Sequence, residues 1–199
     1  MLGSITPLGE RSRGRRWGIT VAAYTLGSIA GSLVLGLAAG SVGSVVLSGT
    51  PPALRVTTLA VFVLAGLAFE LQAFGLRLPT HRRQVDEEWL TRYRGWVYGL
   101  GFGFQLGLAL VTVVNTSAIY LMVVAAFLTA SPTAGGFVLA VFGTARALVL
   151  LRAHSVKAPR DLRVLHDAID RFQPHAKRLT VAVEGATALA LIGLIPFAN

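Results

Sequence analysis

The sequence contains no cysteine. Disulfides, thiol redox relays and thiolate metal sites are therefore excluded. Charge is scarce as well: 14% of the 199 residues are Asp, Glu, Lys or Arg, where a soluble domain carries about 25%. Acidic residues are the rarer sign, 9 against 18 Lys and Arg. No secretory signal with a small-residue cleavage site precedes the first apolar run, which is too long and lies behind a basic segment. No phosphate-cradling loop is present either. Gly99-Leu100-Gly101-Phe102-Gly103 follows no strand and opens an apolar span, so it is not a dinucleotide fingerprint. The histidines, His81, His154, His166 and His175, all fall in polar segments, and His166 beside Asp167 and Asp170 reads as a solvated helix face. The expectation is a protein without enzymatic activity, cofactor or metal.

What is present is apolar length. Hydrophobic residues make up 54% of the chain, with mean hydropathy +0.66. The apolar residues run in blocks near the ~20 residues that a helix needs to cross a hydrocarbon core of ~30 Å. The fold class is all-α, a polytopic integral membrane protein in a single domain over 1–199, with spans expected at 18–47, 54–76, 96–128, 134–151 and 179–197. Ser48-Gly49-Thr50-Pro51-Pro52 and Thr129-Ala130-Ser131-Pro132-Thr133 break helices between spans. Leu162, Leu165, Ile169 and Phe172 recur at helical spacing within 160–172, a segment expected to lie as an amphipathic helix on the membrane surface.

The longest charge-free run, Trp96 to Leu128, organises the rest. As one helix of ~33 residues it is ~50 Å long, so it must tilt, kink or extend beyond the bilayer core. Asn115-Thr116-Ser117 is the expected site of the kink or local unwinding. Sixteen of the eighteen Lys and Arg lie in the N-terminal segment, 77–94 and 152–178, the exceptions being Arg55 and Arg146. The positive-inside rule puts all three basic segments in the cytoplasm. That requires one crossing between Trp96 and Thr129, hence five spans in an inner or plasma membrane with the C-terminus outside. An upstream helix would make six. Basic residues grouped between apolar runs point to topology and away from nucleic acid, which would want one continuous basic face.

Charges inside a span are costly and usually pair or line a wet cavity. Glu70, Arg146 and Glu184 are the charges in question. At ~1.5 Å per residue all three lie roughly 10 Å from the basic side, so an Arg146–Glu184 or Arg146–Glu70 pair is geometrically open. The carboxylate left over would be protonated or would face a proton or cation path. A second polar layer, Gln105, Thr112, Asn115, Thr116 and Ser117, is expected toward the other side. Broken helices of this kind bind substrates in transporters. Gly27, Gly31 and Gly36, part of a series of glycines about four residues apart, let a neighbouring helix approach closely.

Trp96-Val97-Tyr98-Gly99-Leu100-Gly101-Phe102-Gly103, the polar break at Asn115-Thr116-Ser117, and Phe142-Gly143-Thr144-Ala145-Arg146-Ala147-Leu148 together resemble the second half of the cytochrome c biogenesis and disulfide-reductase transmembrane family. That family sits in a wider superfamily that includes small-molecule exporters. The resemblance implies two inverted three-helix halves, each opening with a helix broken at a proline-cysteine motif, and Ile5-Thr6-Pro7-Leu8 would be the remnant of the first. It does not carry the family's redox activity, because the paired cysteines are missing and Asn115, Thr116 and Ser117 cannot exchange thiols.

Two functions stay open from the sequence. One is a small transporter or exporter of the broken-helix type, with Glu70, Gln105, Asn115, Thr116, Arg146 and Glu184 along the substrate or ion path. The other is a non-catalytic membrane subunit or assembly scaffold. Expected partners are the lipid bilayer and either a membrane protein partner or further copies of the chain.

Overall fold

The computed structural model describes residues 5–75, 92–109 and 116–198, and every regular element among them is helical. The helices are α1 (Pro7–Ser12), α2 (Trp17–Val46), α3 (Pro52–Glu70), α4 (Gly95–Gly107), α5 (Ala118–Leu128), α6 (Pro132–Leu148) and α7 (Pro159–Leu194). Short 3-10 segments at Val149–Ser155 and Ile195–Phe197 extend α6 and α7, and another, Ala73–Gly75, follows α3 after a turn. With those extensions, four helical stretches are long and apolar enough to cross a membrane: Trp17–Val46, Pro52–Glu70, Pro132–Ser155 and Pro159–Phe197. Ala118–Leu128 is a shorter apolar helix. Large apolar side chains stand outward, with Val45 and Leu189 74% exposed and Phe137 70%. So much outward apolar surface is unsuited to water and suits lipid. The chain is a multi-pass membrane protein.

Trp96–Leu128 is not one helix. α4 stops at Gly107, where Leu108 and Ala109 turn out of the helix, Ala109 with φ +57°, and α5 starts only at Ala118. Thr112 and Asn115 lie outside the described residues, whereas Thr116 and Ser117 immediately precede α5. At the other end of the chain, the stretch 160–172 is not a separate surface helix. It runs on through Pro174 into the last apolar segment, as the single helix α7. Its apolar positions Val164 and Phe172 stay exposed.

Local sequence explains the helix ends. Thr6 caps α1 by accepting from the Gly9 amide (3.1 Å), and Pro7 supplies a pre-set first turn. Replacing Thr6 with Ala should cost about 1 kcal/mol, read as a lower midpoint in a denaturant titration of the detergent-solubilised protein. Pro52 starts α3 in the same way. In the first turn of α7, Asp161 accepts from the amides of Lys157 (3.0 Å) and Ala158 (2.9 Å), which holds its carboxyl below the usual range. A depressed carboxyl stabilises the fold above its unfolded value and loses that contribution as pH falls through the folded one. The 157–158 amides should therefore lose protection, relative to their intrinsic exchange rate at the same pH, only once the pH drops below the ordinary carboxylate range.

The chain divides into two compact units. The first comprises the described parts of Met1–Val34, Arg82–Thr112 and Ala140–Gln173, and the second those of Leu35–His81, Val113–Leu139 and Pro174–Asn199. In the first unit, α2 and α4 pack backbone to backbone. Gly95, Gly99, Gly103 and Gly107 form a stripe on α4 that meets α2 from Thr20 to Ser32, while Gly27 and Gly31 on α2 meet Leu100, Phe104 and Leu108. Close approach through small residues is a common way for helices to associate in lipid. Ser28 and Ser32 add hydrogen bonds to the carbonyls of Gly143 and Gly107, each 3.0 Å. Ile5, Val21, Tyr24, Tyr98, Phe102, Ala147 and Leu150 form the core. In the second unit, Gly36 and Gly40 lie against Gly135 and Ser131, and Gly43 against Phe127. Its core is Val63, Leu121 and Ala188, flanked by Leu59 and Leu191.

Candidate functional site

Each unit contains one buried acidic cluster, and the two differ in how well their carboxylates are satisfied. In the first unit, Glu10 on α1 is completely buried. It accepts from Thr20 Oγ1 (2.6 Å) and from the Tyr98 hydroxyl, and pairs with Arg13 at 3.3 Å. The Arg15 guanidinium lies 5.3 Å from the centre of the Tyr98 ring. Trp17 Nε1 donates to the Ile5 carbonyl (3.3 Å), and its ring packs on His154 with centroids 5.3 Å apart. The Leu8 amide donates to the Val156 carbonyl at 3.2 Å. A carboxylate with a cation and two hydroxyl donors is a satisfied structural anchor. It ties α1 to α2 and α4.

The second unit assembles a different arrangement. Glu70 is the last residue of α3, Ser117 immediately precedes α5, and Glu184 lies in the apolar half of α7. Ser117 donates its amide to Glu70 Oε1 (2.7 Å), and its hydroxyl is 3.0 Å from the same oxygen. The same hydroxyl contacts Glu184 Oε1. All three residues are at least nine-tenths buried, with Glu70 8% exposed and Glu184 5%. Among the described residues, Glu184 Oε2 has no hydrogen-bond partner. Gly66 on α3 allows this approach, because a side-chain carbon there would lie 3.3 Å from the Ser117 Cβ and 3.0 Å from Leu121. Beside the cluster, Leu59, Val63, Leu121, Val183, Glu184 and Thr187 line part of an apolar groove of about 310 Å³. Among the described residues no group of His, Asp or Glu could hold a metal ion.

The residues singled out from the sequence distribute as follows. Glu70 and Glu184 come together, and they do so through Ser117, a residue of the second polar layer. Arg146 belongs to the first unit, where its Nη1 donates to the Leu106 carbonyl (3.0 Å) at the end of a helix cut short at Gly107. Gln105 is half-buried on α4. Thr116 serves the turn, its Oγ1 accepting from the Ala118 amide at 3.4 Å. Glu10 was missed. Its signal was a lone acid in a basic segment, three residues after the Thr6-Pro7 helix start.

The sequence matches the family described as the cytochrome c biogenesis protein transmembrane region over residues 2–194. The chain belongs to that family. Among curated proteins it is similar to methylamine utilization protein MauF from Paracoccus denitrificans, 32% identical over 202 residues, covering 95% of this chain and 70% of that one. MauF from Paracoccus versutus is 33% identical over 150 residues, 73% of this chain and 55% of the relative. MauF from Methylophilus methylotrophus is 29% identical over 195 residues, 96% and 65% respectively. The chain thus spans from about half to two-thirds of the length of these last two relatives. No solved structure matches it. Within this family, a chain with no cysteine cannot carry electrons by thiol exchange.

Proposed function

We propose that this protein is a non-catalytic membrane accessory protein, one that supports the assembly of a partner used in methylamine utilisation. The observation that carries the reading is the likeness to MauF across nearly the whole chain, in a protein that lacks the family's means of redox chemistry. The buried polar groups fit the same reading. Glu10 is spent on Thr20, Tyr98 and Arg13, and Arg146 on a helix end. The sequence also suggested a transporter of the broken-helix type. The interruption before Ala118 is compatible with it, but the comparisons favour the accessory role. In that role the basic segments, including 152–178, face the cytoplasm by the positive-inside rule and are available to soluble or membrane partners.

The glycine face is not the docking surface. Gly27 and Gly31 are covered by α4, and Gly36 by Gly135 of α6, so Gly31→Leu would report on folding. The test is to purify the protein in mild detergent from its native membrane and determine the composition of what elutes. A second polypeptide in fixed stoichiometry is the expected result. Elution as a monomer or homo-oligomer alone, with substrate flux after reconstitution, would overturn the proposal in favour of transport.

A further inference from the structure

The cluster formed by Glu70, Ser117 and Glu184 poses a problem of proton counting. Ser117 has one hydroxyl proton, yet its Oγ lies in hydrogen-bond contact with a carboxyl oxygen of each glutamate. It can donate to one of them only; toward the other it must accept. A carboxylate has nothing to donate, so one of the two carboxyls carries a proton. The Ser117 amide decides which. It donates to Glu70 Oε1 at 2.7 Å, and with the Ser117 hydroxyl it gives that oxygen two donors at the start of a helix, where negative charge is favoured. Glu70 is therefore the ionised partner, and the proton lies on Glu184 Oε1, directed at Ser117 Oγ.

The second, independent observation is Glu184 Oε2. It is buried, next to an apolar groove, and without a partner among the described residues. A buried carboxylate with one oxygen bare would be prohibitively costly, whereas the carbonyl oxygen of a neutral acid can stay bare at a modest cost. The other titratable or charged residues of α3, α5 and this part of α7 are Arg55, Tyr120, His175, Lys177 and Arg178. Arg55 donates to the Leu47 carbonyl (3.0 Å), and the hydrogen bonds Ser117 makes through its side chain are to Glu70 and Glu184.

We infer that Glu184 and Glu70 form, through Ser117, a binding site for a single proton within the membrane-embedded part of the protein. It joins α3, α5 and α7 only while the proton is bound. The inference does not depend on the accessory role, since a scaffold or a transporter could use such a site. Infrared spectroscopy of the intact protein in an ester-free detergent, at neutral pH, tests it. A carboxylic-acid carbonyl band is expected, moving in deuterium oxide, lost in Glu184→Gln and kept in Glu70→Gln. Should Glu184→Gln fail to fold, Ser117→Ala serves, because removing the acceptor shifts the band to higher frequency. Absence of the band, its persistence unchanged in Glu184→Gln or Ser117→Ala, or its loss only in Glu70→Gln would overturn the inference. A band that appears only when sodium is withheld would assign the site to a metal cation instead and would also overturn it.

Discussion

Gly103→Leu should leave little or no folded protein. A side-chain carbon at 103 would run into the backbone of α2, at the Tyr24 carbonyl and within 2.9 Å of the Ser28 amide nitrogen. Both are main-chain atoms inside a helix and cannot turn aside as a flexible side chain would. Overpacking a core usually costs about 1–3 kcal/mol, and more where backbone must move. Separating α2 from α4 would also pull Ser28 and Ser32 from the carbonyls of Gly143 and Gly107. Gly185→Leu is the control, because open space surrounds position 185. The expected result is loss of the monodisperse peak for Gly103→Leu on size exclusion in detergent, with Gly185→Leu eluting as the parent does.

Glu10→Ala should be nearly as damaging, for a different reason. It strands the Tyr98 and Thr20 hydroxyls in a buried site, at about 1–3 kcal/mol each, and leaves Arg13 without its carboxylate. Together a loss of roughly 3 kcal/mol or more is expected. Arg13 is part-exposed and can turn to water, so the cost is mostly that of the hydroxyls. Glu10→Gln keeps an acceptor for both and should lose less than half as much. A denaturant titration of the three proteins in the same micelle, followed by the intrinsic fluorescence of the three tryptophans, measures the difference. Equal loss in Ala and Gln would mean that charge, and not hydrogen bonding, holds the anchor.

The bilayer-length apolar blocks and turn residues were enough to read the membrane class from the chain. α2 (Trp17–Val46) lies close to the expected 18–47 and α3 starts near the expected 54, because the N-terminal arginines and Pro51-Pro52 mark those starts, but α3 stops at Glu70, well before the expected 76. The Trp96–Leu128 run was harder. Nothing apolar periodicity reports distinguishes a kinked helix from two helices, and the stop at Gly107 depends on Ala109 taking a left-handed conformation that no residue type there announces. The same holds for α7. Polar, amphipathic sequence before Pro174 and apolar sequence after it suggested two elements, yet proline within a helix bends it without always ending it.

The sites were legible as residue types and not as partners. Counting residues from the basic edges put Glu70 and Glu184 at similar depth, and they do meet. The same counting offered Arg146 to either of them, while within its own unit its guanidinium is used by the Leu106 carbonyl. A carbonyl that a helix end leaves open to a side chain as well as to the Ala109 amide is invisible until the end is known. Ser117 was noted as one polar residue among several at a break; its role follows from the fold, which brings α3 and α7 to the start of α5. The glycine spacing on α2 was visible, but the matching stripe at 95, 99, 103 and 107 was obscured by the nearer Gly99, Gly101 and Gly103.

Protein abundance in membranes of host cells with and without this chain, grown on methylamine, is the most direct test of an accessory role. If the chain assists assembly, at least one protein of methylamine utilisation should fall several-fold in its absence while its transcript holds steady, and the restored chain should bring it back. If every such protein keeps its level, and what changes is the amount of a small molecule inside the cell, the accessory reading is contradicted and the protein is a transporter.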